Sequence, residues 1–131
     1  DGRYENLGRL GTVVPFLPLS DAGRSGVVTR QLQHVGDRLR EAQAPGVLSS
    51  WSAPLMHEIL THWDDDLGGR STRDFIEENV VEAIAEAMDA APDEIFSADA
   101  PPLDLHLDVH VPAGEDPATS NDPVRVICTT L

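Results

Sequence analysis

Apolar residues recur at Val28, Leu32, Val35 and Leu39, at spacings of four, three and four, and so line one face of a helix that runs to about Glu41. Ser20 before Asp21 and Ala22 supplies an N-cap with an acid in the first turn. Arg30, Asp37, Arg38, Arg40 and Glu41 take much of the opposite face. Pro45-Gly46 breaks this helix, and Val47-Leu48 is either a minimal strand or a crossover. Ser52 caps a second, shorter helix that buries Leu55, Met56, Ile59, Leu60 and Trp63. Asp64-Asp65-Asp66 opposes the dipole at its C-terminus, so it should stop near Trp63.

A third helix is expected from about Ser71 to Met88, burying Phe75 or Ile76, then Val80, Ile84, Ala87 and Met88, with Pro92 past its end. Ser71 or Thr72 can cap it, and Asp74, three residues after Ser71, is the acidic partner of a capping box. From Leu103 to Val111 every odd position is apolar and the even ones read Asp104, His106, Asp108, His110, the pattern of a strand with one buried face. Val124 to Thr129 can pair with it as a final strand, after a Pro, Gly and acid-rich loop from Pro112 to Pro123. Upstream, residues 1–11 contain three glycines and no period and read as a connecting segment. Thr12-Val13-Val14-Pro15-Phe16 is a short strand, extended by Leu17-Pro18-Leu19, with Pro15 demanding an edge. The order strand, three helices, two strands is that of a single α+β domain, with about three helices packed on a small two- to three-stranded sheet.

Charge narrows the partners. The chain has 23 acidic residues against nine basic ones, all arginine, for a net charge of −14. The absence of lysine excludes both a lysine-bearing phosphate loop and Schiff-base chemistry within this chain. Residues 74–131 hold fourteen acids and one arginine, which repels nucleic acid and anionic membranes. A halophilic or high-GC source accounts for the same bias without any partner. One cysteine, Cys128, rules out an internal disulfide, and a reducing cytoplasm is the simpler expectation; it should be a small core or edge residue. There is no signal pattern or long apolar run. The chain opens without methionine in a segment that reads like mid-protein, so a fragment is expected.

Three constellations invite chemistry. His57-Glu58 followed by His62 looks like a zinc-protease helix, but a spacing of five puts the imidazoles roughly 140° apart where a spacing of four would put them about 40° apart. Asp104, His106, Asp108 and His110 share a strand face at intervals of roughly 7 Å, so a metal there needs help from a neighbouring strand. No metal site is expected from either. The third is Gly68-Gly69-Arg70, a glycine-marked turn that delivers an arginine to a helix N-terminus. The dipole there favours an acid, so Arg70 calls for an outside anion, water, or a salt bridge to Asp64, Asp65 or Asp66.

Arg9-Leu10, then Val13-Val14-Pro15-Phe16-Leu17-Pro18-Leu19-Ser20, and some fifty residues later Gly68-Gly69-Arg70, resemble in order and spacing the C-terminal part of AAA+ ATPases of the Clp and torsin group, which includes the ClpB-like disaggregases. In that group an arginine ends the large ATPase subdomain, a Val-Val-Phe-x-Pro-Leu strand follows, and a Gly-Ala-Arg motif opens a later helix. Torsins have a Pro-Phe-Leu-Pro-Leu strand and a Gly-Cys-Lys motif. The resemblance covers about residues 2–111. It implies that residues 1–11 are the end of the large subdomain with the hinge, and 12–131 the small lid subdomain. Arg70, after Gly69, matches the sensor-2 arginine that contacts ATP phosphates, and Arg9 the arginine finger acting on a neighbouring subunit's ATP. It further implies ATP and Mg²⁺ in the full-length protein, a homo-oligomeric ring that by the group's habit is a hexamer, and polypeptide substrates. The pattern departs at Leu7-Gly8-Arg9-Leu10-Gly11, where the group has Leu-Asn-Arg-Ile-Asp, and at Ser71, where Clp lids usually have proline. A free-standing acidic interaction module with a lid-like fold is the alternative.

Overall fold

The computed structural model describes residues 18–110 and 125–131. The opening strand expected at Thr12–Phe16, the segment 1–11 with Arg9, and the loop Pro112–Pro123 lie outside the described residues.

Helix α1 spans Asp21–Glu41, capped by Ser20, whose hydroxyl accepts from the Gly23 amide. Its apolar stripe lands as the periodicity requires, with Val28, Leu32 and Val35 buried and Leu39 packed against them. Pro45-Gly46 does not end it. Gln43 does, in the left-handed conformation with φ 53°. The Gln43 amide donates to the Arg40 carbonyl at 3.0 Å and the Ala44 amide to the Leu39 carbonyl at 2.9 Å, the paired bonds of a Schellman cap.

Strand β1, Gly46–Trp51, is longer than the Val47-Leu48 minimum and runs parallel to β2, Leu103–His110. Leu48 pairs with Leu105 and Trp51 with Leu107, while the register shifts between Leu48 and Ser50. This bulge lets two residues three apart face the same side, which is why Val-Leu-Ser-Ser-Trp shows no clean alternation. β3, Arg125–Thr130, pairs antiparallel with β2, so the order is β1-β2-β3.

Between β1 and β2 lie α2, Ala53–Thr61, capped by Ser52, and a longer helical rod. The rod begins as α3, Gly69–Phe75, passes through a π-helical stretch, Ile76–Val80, and continues as α4, Val81–Asp89, with right-handed helical backbone at both joins. Thr72, Ile76, Val80 and Ile84, buried along it, are spaced by four. On a regular helix that stripe would drift about 40° per step, and the wider π turn brings it back over the core. The Asn79 side-chain amide donates to the Phe75 carbonyl at 3.0 Å within this turn. A short 3₁₀ turn, Asp93–Phe96, precedes β2.

The helices pack against the sheet face that carries Leu105, Leu107 and Val126, which join Val28, Leu32, Val35, Leu55, Ile59, Ile76, Val80, Ala83 and Ile84 in one core. Each fully buried Leu, Ile or Val contributes about 1.5–3 kcal/mol relative to exposure. The architecture is therefore the expected α+β arrangement, three helical elements on a small three-stranded sheet. Among the described residues no helix is long and apolar enough to cross a membrane.

Candidate functional site

The turn from Trp63 to Ser71 is assembled from its own polar side chains. Helix α2 ends at Thr61, two residues before the expected stop, with His62 as its C-cap. The Asp64 carboxylate accepts from the amides of Asp66 at 2.8 Å and Leu67 at 3.3 Å, and its carbonyl accepts from the Gly68 amide at 2.7 Å. Asp65 accepts from the Arg24 guanidinium at 2.9 Å and from the Trp63 indole N–H at 3.2 Å, and the guanidinium carbon of Arg24 lies 5.7 Å from the Trp63 ring centroid. Two of the three aspartates are thus committed to holding the turn, and the one that is ion-paired is paired to Arg24 rather than Arg70.

Two glycines shape the start of α3. Gly68 has φ 58° and ψ −140°, a region open to glycine and strained for other residues. At Gly69 a Cβ would come within 2.9 Å of Val27 Cγ1. The Gly69 carbonyl accepts from Gln31 Nε2 at 2.7 Å and lies 3.1 Å from Thr72 Oγ1, whose single proton goes to Gln31 Oε1 at 2.9 Å. Thr72 is completely buried. One glutamine on α1 therefore grips both ends of the first turn of α3.

The expected capping box is not formed. Gly68 is the N-cap and contributes no side-chain bond. The Ser71 hydroxyl donates to the Gly68 carbonyl at 3.0 Å and accepts from the Asp64 amide at 3.0 Å, so it closes the preceding turn. Asp74 is exposed, with Arg73 Nε at 3.9 Å. The helix starts two residues earlier than Ser71 because the glycines let the chain turn sharply against α1.

Arg70 is consequently displayed. It is exposed in the first turn of α3, and among the described residues it makes no ion pair, although three aspartates precede it within six positions. A guanidinium in this position keeps its planar fork of donors available to an anion. Gly69, singled out with it, serves through its carbonyl and its missing side chain.

The other constellations do different work. His57 is exposed, and His62 stacks on Phe75 at 4.1 Å between centroids while its Nε2 lies 3.3 Å from Glu58 Oε1. Glu58, His62 and Phe75 line an acidic groove of about 600 Å³ together with Ser71, Asp74 and Glu78. On the sheet face away from the helices, the serines of β1 and its exit answer the polar positions of β2. Ser49 donates to Asp104 at 2.9 Å, Ser50 lies 2.7 Å from His106 Nδ1, and Ser52 donates to Asp108 at 2.6 Å. The Ser52 hydroxyl, followed by the Val109 amide, holds the Asp108 carboxyl below its ordinary value. Among the described residues no group of three or more His, Cys, Asp or Glu side chains is placed to hold a metal. Cys128 is a half-buried free thiol whose pKa burial pushes up to about 11, so it is poorly nucleophilic at neutral pH.

The sequence pattern nominates neither Gln31 nor the serine ladder. Gln31 lies three positions after Val28, beside Leu32 on the inward stripe, and a polar residue there is the available signal. Comparison of the sequence with protein-family models finds no match, and comparison with curated proteins finds no similar one.

Proposed function

We propose that this chain is the C-terminal lid subdomain of a ring-forming AAA+ ATPase of the Clp and torsin group, a cytoplasmic ATP-dependent unfoldase or disaggregase. The observation that carries the reading is Arg70, an exposed guanidinium without an ion pair among the described residues, held at a helix mouth by a glycine turn. In this reading Arg70 is the sensor-2 residue. It reaches from the lid to the terminal phosphate of ATP bound, with Mg²⁺, by the large subdomain. Several donors in a fixed plane and a permanent charge suit that ligand. Loss of the phosphate on hydrolysis releases the lid, and chemistry becomes rotation of one subdomain against the other. Arg9 serves as the finger that stabilises charge on ATP held by the adjacent subunit.

This division of labour assigns the phosphate loop and the Mg²⁺-holding acid to the large subdomain. Arg70→Ala in the full-length protein should therefore lower ATP turnover or nucleotide affinity at least tenfold, about 1.4 kcal/mol. Steady-state hydrolysis and nucleotide titration measure it. Wild-type values in that variant would remove the assignment.

A further inference from the structure

We infer that Gln31 is the positioning residue for Arg70, the link that passes its hold on a phosphate to helix α1; the inference rests on the phosphate-contact reading of Arg70. Three observations on α1 converge on the turn next to that arginine. Gln31 Nε2 donates to the Gly69 carbonyl at 2.7 Å. Gln31 Oε1 accepts from the Thr72 hydroxyl at 2.9 Å. Val27, one helical turn earlier, leaves no room for a Cβ at Gly69. Both ends of one side-chain amide are thus spent on residues 69 and 72, which flank Arg70 and Ser71.

The chemistry of the pair sets the geometry. A carboxamide offers a donor and an acceptor about 2 Å apart in one plane, so it fixes both the distance and the rotation of the turn it grips. Thr72 is fully buried, and its bonds have no competition from water. A pull on the Arg70 guanidinium then reaches α1 through two hydrogen bonds next to the load. Arg24, also on α1, seizes the other side of the same turn through Asp65. The turn is consequently carried by α1, the helix nearest in sequence to the expected hinge.

The test is a double-mutant cycle in the full-length ATPase, with turnover and ATP affinity as readouts and melting temperature as a control. Gln31→Met keeps the length of the side chain and removes both hydrogen bonds. Thr72→Val keeps the shape and removes the hydroxyl, and it decides the question if Gln31→Met does not fold. Each is expected to weaken ATP affinity or turnover about tenfold, the scale of a displaced contact group, and to have no further effect when Arg70 is already alanine. The same fold-loss in the Arg70→Ala background would mean that Gln31 acts elsewhere and would overturn the inference. So would wild-type behaviour of both variants alongside an impaired Arg70→Ala, which leaves the phosphate contact standing. An inert Arg70→Ala takes down the phosphate contact itself, and the positioning role with it.

Discussion

Ser52 shows how much one small side chain can hold together. Its amide donates to the Leu107 carbonyl at 2.9 Å, its hydroxyl accepts from the Leu55 amide as the N-cap of α2, and that hydroxyl also donates to Asp108. Strand, helix and neighbouring strand meet at one residue. The Asp108 carboxyl is held low in the folded state by this bond, so its contribution to stability is present above the unfolded value of about 3.9 and is lost as pH falls through the folded value. Ser52→Ala should cost about 1 kcal/mol at pH 7. Part of that cost, the Asp108 part, should shrink as pH falls below the unfolded carboxylate value of about 3.9, while the capping part remains. Denaturant titrations of both proteins at neutral and acid pH test it, and a cost independent of pH would show that the Ser52–Asp108 bond contributes nothing.

Among the elements, α1 carries both a regular apolar stripe and an unusual end. Its Schellman cap places a glutamine where glycine is the common choice. The left-handed backbone costs an L-residue about 1–2 kcal/mol, and glycine avoids that while losing more chain entropy on folding. Gln43→Gly should therefore raise stability by about 0.5–1 kcal/mol. Thermal denaturation measures it, and a destabilised variant would show that the Gln43 side chain has a role beyond closing the helix. The rod from Gly69 to Asp89 makes a related point. Its inward residues keep a spacing of four because the π turn absorbs the drift. Periodicity alone leaves Phe75 and Ile76 as rivals for one position. The fold buries Ile76 and leaves Phe75 half-exposed against His62.

At the scale of the whole molecule, charge is the dominant quantity. With a net charge of −14 over 131 residues, repulsion acts throughout the folded chain. Against it stand five arginine–carboxylate pairs among the described residues, including Arg38–Glu77, Arg40–Asp37 and Arg125–Glu86. Most are exposed, and exposed pairs contribute about 0–1 kcal/mol each. Repulsion should win, so raising sodium chloride from low concentration to about 1 M, where the Debye length is about 3 Å, should raise the melting temperature by roughly 3–5 °C. A fall would mean that the ion pairs outweigh the repulsion. Among the described arginines Arg30 and Arg70 are the two without an ion pair, and of these Arg70 is the one at a helix start.

What residue order determines in this protein is local. A stripe at spacings of four, three and four defines a helix face wherever it occurs, Ser20 and Ser52 cap because a hydroxyl reaches an amide three residues on, and the alternation from Leu103 to Val109 admits one conformation. Those features need only neighbours along the chain. The capping box expected at Ser71 gives way to a turn gripped by Gln31 and closed by Asp64, and that alternative depends on a residue 38 positions away from Gly69. The length of β1 is legible only beside β2, since a bulge is a property of two strands. Tertiary structure alone decided that Asp65 belongs to Arg24, because the pairing of charges depends on distance through space, which residue order does not encode.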